Sequence, residues 1–166
     1  YCNNKDIVLD VATGTGILLF PLSKYFNKSI GIDISETQIS IPKEKYKDYN
    51  NLEFKIGDAH KLEEVKKDTK YDAICVAQAF HWFDDKLFFE SAKKVLKETG
   101  IIALAGYNML RILNNKEFEK LVNDWYSLIK PHFEFDRTIL EKEYQSYTFP
   151  FDLIKKFNFV KKQEVK

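Results

Sequence analysis

The stretch Val8-Leu9-Asp10-Val11-Ala12-Thr13-Gly14-Thr15-Gly16 decides how the rest of the chain is read. Ile7 to Val11 is a compact apolar run broken only by Asp10, the pattern of a strand buried on both faces. Gly14 and Gly16 then permit a tight turn and the close approach of a ligand to backbone N–H groups. Ile17 to Phe26 follows and reads as a helix. Strand, glycine turn and helix together open an α/β sheet of the kind that binds ligands beyond the carboxyl ends of its strands.

Working outward, the alternation repeats. Ser29 to Asp33 is a second short strand. Ser35 with Gln38 three residues on is a capping-box pattern, and Pro42 is expected to kink or end the helix that follows. Leu52 to Ile56 alternates and is closed by Gly57-Asp58. Ala73 to Ala79 is apolar apart from Gln78. Asp84 or Asp85 caps a helix over Lys86 to Lys97, whose Phe88, Ala92, Val95 and Leu96 share one face. Gly100 is placed as its stop, and Ile101 to Ala105 is the last buried run. Strand then helix about four times, plus a fifth strand, predicts a doubly wound, mostly parallel sheet with helices on both faces.

After Tyr107 the character changes. Phe118, Leu121, Val122, Trp125, Leu128 and Ile129 recur at helical spacing, and Pro131 ends that helix. His132 to Phe159 is aromatic-rich and irregular. Residues 1–107 are therefore expected to form a ligand-binding α/β core, with 108–166 a helical, aromatic insertion or cover packed on the same domain. The chain starts at Tyr1 without Met and ends without a natural stop, so it is expected to be a trimmed fragment with its C-terminal part cut short.

Composition narrows the function. The 166 residues suffice for one domain with a sizeable core. Twenty-six basic and 25 acidic residues leave a net charge of +1, which argues against a broad electrostatic footprint for nucleic acid or an anionic membrane. Only Arg111 and Arg137 are Arg and the other 24 basic residues are Lys, whereas phosphate recognition favours the guanidinium fork. Cys2 and Cys75 make no disulfide framework, so a reduced, cytoplasmic setting is the default. No apolar run approaches the ~18 residues of a membrane span. The three histidines and two cysteines show no metal-ligand spacing, so no metal is expected. Oligomeric state is left open between monomer and dimer.

Four features fall at strand ends: Asp10 to Gly16, Asp33, Gly57-Asp58-Ala59, and Gln78 to Asp84. Asp33 stands 17 residues after Gly16, where a carboxylate can accept both hydroxyls of a ribose. Asp58 and Ala59 offer a side-chain oxygen and a backbone N–H to an adenine edge. The dinucleotide fingerprint needs a third small residue where this chain has Leu19, and no phosphate-cradling G-x-x-x-x-G-K-[ST] is present. An adenosine ligand without phosphates fits best.

These residues carry a resemblance. Val8 to Gly16 is similar to the glycine-rich first motif of class I S-adenosylmethionine (SAM)-dependent methyltransferases. Gly31-Ile32-Asp33-Ile34-Ser35 resembles their second-strand motif, Gly57-Asp58-Ala59 the third, Tyr71-Asp72-Ala73-Ile74 the opening of the fourth, and Leu96-Lys97-Glu98-Thr99-Gly100-Ile101 the leader into the fifth, with Glu98 and Thr99 in place of Pro and Gly. Ala77-Gln78-Ala79-Phe80-His81-Trp82-Phe83-Asp84 is similar to a small-molecule subgroup that includes trans-aconitate methyltransferase-like proteins.

The resemblance implies a Rossmann-like fold, SAM as methyl donor with S-adenosylhomocysteine (SAH) as product, and a small-molecule acceptor, a carboxylate among the candidates. It assigns Asp10, Ala12, Thr13, Gly14, Thr15 and Gly16 to the methionyl and ribose side, Asp33 and Ile34 to the ribose and its surroundings, Asp58 and Ala59 to the adenine, and Gln78 to the methionyl end. Gln38 reads first as the capping-box partner of Ser35. Among acceptor-side residues, His81 is a candidate base, the other reading being a satisfied structural histidine beside Trp82 and Phe83. Trp82 is a candidate wall of the acceptor pocket. Arg137 is a candidate clamp for a carboxylate, and Tyr144 belongs to the same segment. His60 and His132 read as solvated, as do the charge runs Glu63-Glu64 and Lys66-Lys67. The competing readings are a non-catalytic SAM or SAH binder, or a methyltransferase acting on RNA or protein.

Overall fold

A computed structural model describes residues 2–106 and 114–132. These fall in two units, parted after Gly106, and each is described by itself. In the first, β1 (Ile7–Val11), β2 (Lys28–Asp33), β3 (Leu52–Ile56), β4 (Tyr71–Ala77) and β5 (Leu96–Ala105) alternate with helices α1 (Leu19–Leu22), α2 (Glu36–Lys45) and α3 (Asp85–Val95). The strands form one sheet in the order β3-β2-β1-β4-β5, and every pairing is parallel. Right-handed crossovers put α1 and α2 on one face and α3 on the other. The order reverses between β1 and β4, which is the topological switch where a crevice opens.

Burial follows the sequence pattern. Val8, Leu9, Val11, Ile30, Ile32, Ile74 and Val76 are fully buried along the central strands. On the α1/α2 face, Leu19, Phe26, Ile39, Tyr46 and Phe54 form one cluster with Val8, Ala73 and Cys75, in which Phe20 stacks on Tyr46 at 4.7 Å. Near α3, Phe80 meets Phe88 and Phe89 edge-on at 5.6 and 5.7 Å.

The bounds of β1 and β3 match the sequence reading, and five expectations are corrected. The helix expected over Ile17 to Phe26 shrinks to the four residues of α1, because Pro21 lacks the N–H that would bond Ile17 and its ring crowds that carbonyl. Pro42 does not end α2. The helix runs three residues past it and closes with the Tyr46 N–H on Pro42 O at 2.9 Å; Pro42 is buried, so packing holds the last turn. The third crossover carries only a 3-10 turn, Leu62–Glu64, since its Glu and Lys pairs offer no apolar stripe. That turn is still fastened, because the Leu62 N–H donates to Ser91 Oγ at 2.6 Å and Ser91 Oγ to Glu63 at 2.7 Å. Glu63, which also pairs with Lys94, is thus not merely solvated. Strand β4 starts at Tyr71 and stops at Ala77, where Gln78 turns to φ +57°. Finally, Gly100 does not stop α3. Leu96 is already extended and pairs with Tyr71, and the register then jumps to Ala73 opposite Ile101. Strand β5 is only half-buried and lies at the edge of the sheet among the described residues.

In the second unit, α4 (Lys116–Ile129) occupies the expected helical run, capped by Asn115 accepting from the Phe118 N–H and followed by a 3-10 turn through Pro131. No helix among the described residues is long and apolar enough to cross a membrane.

Candidate functional site

The site residues sit where the strands end. Asp10 is the second-to-last residue of β1, in register with Gly31 of β2 and Cys75 of β4. Its side chain is 1% exposed and accepts Thr13 Oγ–H at 2.6 Å. Burial pushes the Asp10 carboxyl up to about 7, helped by the charge of Asp33 and opposed by the Thr13 bond.

The turn after β1 is pinned from β2. The Thr13 N–H bonds Ile32 O at 2.8 Å. The Asp33 carboxylate accepts the Gly14 N–H on Oδ2 at 3.0 Å and the Ser35 N–H on Oδ1 at 2.9 Å. One carboxylate therefore fixes two loops, and each of its oxygens keeps a further lone pair.

The two glycines differ in what they permit. At Gly14 (φ +55°) a Cβ would meet only Gln38 Oε1, at an ordinary contact distance of 3.6 Å. At Gly16 (φ +78°) a Cβ would come to 3.0 Å of the Phe54 ring and 3.2 Å of Tyr46. Gly16 thus lets the turn pack on the aromatic cluster. Gln38 leans over Gly14 and leaves the capping box half made: Ser35 Oγ accepts the Gln38 N–H at 3.3 Å, while the Ser35 N–H belongs to Asp33.

Of the three non-glycine residues with left-handed backbone among the described residues, Ala12 (φ +55°) and Gln78 (φ +57°) belong to the site. They follow β1 and β4, whose ends pair as Val11 with Val76, so this strain lies on both sides of the switch point. The Gln78 N–H is anchored on Ala105 O at 2.9 Å. Beyond it, His81 and Trp82 lie in the 3-10 turn Phe80–Trp82, with ring centroids 4.7 Å apart. Trp82 is 53% exposed, as suits a wall rather than a core residue. Desolvation lowers the His81 pKa, which favours the neutral ring over the imidazolium. Thr15 and Ala59 are half-buried, and Ile34, at the end of β2, is 77% exposed. Cys75 is no nucleophile, since burial pushes its thiol up to about 12.

His60, read from the sequence as solvated, is corrected here. Its Nδ1 lies 3.1 Å from Asp58 Oδ1, its backbone N–H donates to the same oxygen at 2.9 Å, and its Nε2 accepts the Asp84 N–H at 3.0 Å. Its sequence signal was the spacing Asp58-Ala59-His60, in which an Asp side chain can accept the backbone N–H two residues on. Arg137 and Tyr144 lie outside the described residues.

With this geometry in hand, comparison with known proteins is informative. The sequence pattern of the methyltransferase domain family matches residues 3–158. A protein of Dictyostelium discoideum named as a methyltransferase is 31% identical over 155 residues, covering 81% of this chain and 57% of the relative. A malonyl-[acyl-carrier protein] O-methyltransferase of Ilyobacter polytropus is 34% identical over 103 residues, covering 60% and 37%. A ribosomal RNA small subunit methyltransferase A of Thermotoga petrophila is 26% identical over 168 residues, covering 92% and 63%. The chain thus spans little more than half the length of the first relative and well under half that of the second. Among solved structures, one from Anaeromyxobacter dehalogenans described as a type II methyltransferase superposes with a TM-score of 0.70 at 21% identity, covering 90% of this chain and 60% of that one. A Haemonchus contortus phosphoethanolamine N-methyltransferase, complexed with phosphoethanolamine and SAH, gives 0.55 at 20% identity, covering 67% and 25%. At these identities the structures attest the fold.

Proposed function

This chain belongs to the methyltransferase domain family, and on that premise we propose that it binds SAM at the switch point and moves its methyl group to an oxygen of a small-molecule acceptor. The observation that carries the cofactor reading is the pinned turn: Asp33 spends one lone pair per oxygen on Gly14 and Ser35, leaving an outward pair on each for two vicinal hydroxyls. Gly14, faced only by the Gln38 side chain, lets a ligand approach the backbone, exposed Ile34 offers an apolar face for a base, and buried Asp10 supplies a negative charge for the ligand's ammonium.

When bound, SAM supplies a methyl on a sulfonium leaving group, so the protein's task is alignment and exclusion of water. The glycine turn, held by its own N–H bonds to Ile32, Asp33 and Thr13, lines the donor side with backbone. Trp82 walls the acceptor side. A carboxylate acceptor needs no base, whereas a hydroxyl acceptor gives its proton to the neutral ring of His81. An oxygen acceptor is supported by the O-methyltransferase relative. The near-neutral charge and the Lys-dominated basic set weigh against RNA, the reading that the ribosomal RNA relative favours.

The test is methyl transfer from labelled SAM to a panel of small carboxylic acids and hydroxy compounds, with the full-length protein. Turnover on one class supports the reading. Turnover on ribosomal RNA alone, with salt-sensitive RNA retention, replaces the acceptor. SAH binding with no turnover on any acceptor makes the protein a non-catalytic binder.

A further inference from the structure

His60 stands between two halves of the site that come from different parts of the chain. Its imidazole accepts the Asp84 N–H at Nε2, so the ring proton lies on Nδ1, which stands 3.1 Å from Asp58 Oδ1. The Phe83 ring packs against it edge-on, with centroids 6.0 Å apart. A half-buried side chain thereby joins the end of the β3 loop to a residue 24 positions away. Asp84 is the end of the segment that bears His81 and Trp82, and it also caps α3 by accepting the Leu87 N–H at 2.9 Å. The other end of that segment is held by Gln78 on Ala105.

Two consequences follow. Asp58 Oδ1 accepts the His60 backbone N–H and lies 3.1 Å from the His60 Nδ1, so Oδ2 is the oxygen left for a ligand's amino group. The segment from Gln78 to Asp84 is tied at both ends, and its far tie is His60. We propose that His60 is a positioning residue that sets the adenine-side carboxylate and the acceptor-side wall at once, coupling cofactor binding to the order of the acceptor segment. The coupling to cofactor rests on the SAM reading above; the tie to Asp84 does not.

The two side-chain interactions, the Asp84 bond and the close approach to Asp58, can be cut separately. In His60→Asn the amide occupies the place of Nδ1 and keeps the approach to Asp58 but loses Asp84. In His60→Gln the amide occupies the place of Nε2 and keeps Asp84 but loses the side-chain approach to Asp58. The chain has two tryptophans, so a Trp125→Phe background leaves Trp82 as the sole reporter. Acrylamide quenching of Trp82 is expected to rise about twofold in His60→Asn and to stay at the parent value in His60→Gln. SAH affinity by calorimetry is expected to fall about five- to tenfold in His60→Gln, where the imidazole no longer flanks the Asp58 carboxylate, and to stay within about twofold in His60→Asn. Thermal melts identify any loss of fold, which would move both readouts together. If the two variants quench and bind alike, His60 is only a surface contact and the proposal is wrong. A parent protein that fails to bind SAH refutes the cofactor reading instead, and the quenching split then decides the tie to Asp84 alone.

Discussion

Burying Asp10 sets stability against function in a way that pH can expose. The carboxyl is 1% exposed, and burial raises it from 3.8 to about 7 in the folded chain. Between about pH 4 and 7 the native protein therefore holds a proton that the unfolded chain has released. Unfolding free energy falls as pH rises through that window and levels off above it. A displacement from 3.8 to about 7 corresponds to about 4 kcal/mol. Asp10→Asn has no charge to bury and keeps an oxygen for Thr13 Oγ–H. Urea unfolding of the two proteins should give equal stability near pH 4 and an advantage for Asp10→Asn that grows to about 4 kcal/mol by pH 8. Other groups, including Glu53 and Glu63 with carboxyls lowered to about 2, cancel in the difference. Ligand binding runs the other way, because the charged form receives the ammonium. Wild-type SAH affinity should rise from about pH 5 to 7 with proton uptake by buffer, and Asp10→Asn should lose that rise. A stability difference that does not change with pH, or Asp10→Asn the weaker fold at pH 8, would refute the reasoning.

Other expected outcomes are narrower. Asp33→Ala removes the acceptor of two backbone N–H groups and the proposed ribose contact, so SAH binding should fall at least a hundredfold, about 3 kcal/mol for bonds to a charged group; normal binding by calorimetry would end the ribose assignment. Gly16→Ala should destabilise by about 2 to 4 kcal/mol, from left-handed strain and a clash with Phe54, and Gly14→Ala by only about 1 to 2 kcal/mol, both read from urea midpoints. Gln78→Gly should raise stability by about 1 kcal/mol through relief of its positive φ while lowering turnover; a stability loss would mean the φ is unstrained. His81→Asn should slow transfer to a hydroxyl acceptor about a hundredfold and leave transfer to a carboxylate acceptor within a few-fold, measured with labelled SAM.

Much of the fold was legible because burial and period coincide. Ile7 to Val11 and Leu52 to Ile56 read as strands and are strands, and the order of motifs places the switch point between β1 and β4. Reading failed where tertiary contacts override local rules. Pro42 is buried and its helix continues. The strand read from Ala73 begins two residues earlier, at Tyr71, and the Asp72 carboxylate there accepts the Asp6 and Ile7 N–H groups and pairs with Lys97. At the site, the individual residues were visible and their mutual bonds were not. Asp33 was read as a ribose ligand, yet it also holds two loops. His60 looked idle because its partner Asp84 is distant in sequence.

The most direct measurement is calorimetric titration of the protein with SAH, using NADH as control. The account expects one SAH per chain and no NADH, since Leu19 stands where a dinucleotide turn needs a small residue. NADH binding, or binding of neither ligand by the full-length protein, would contradict it.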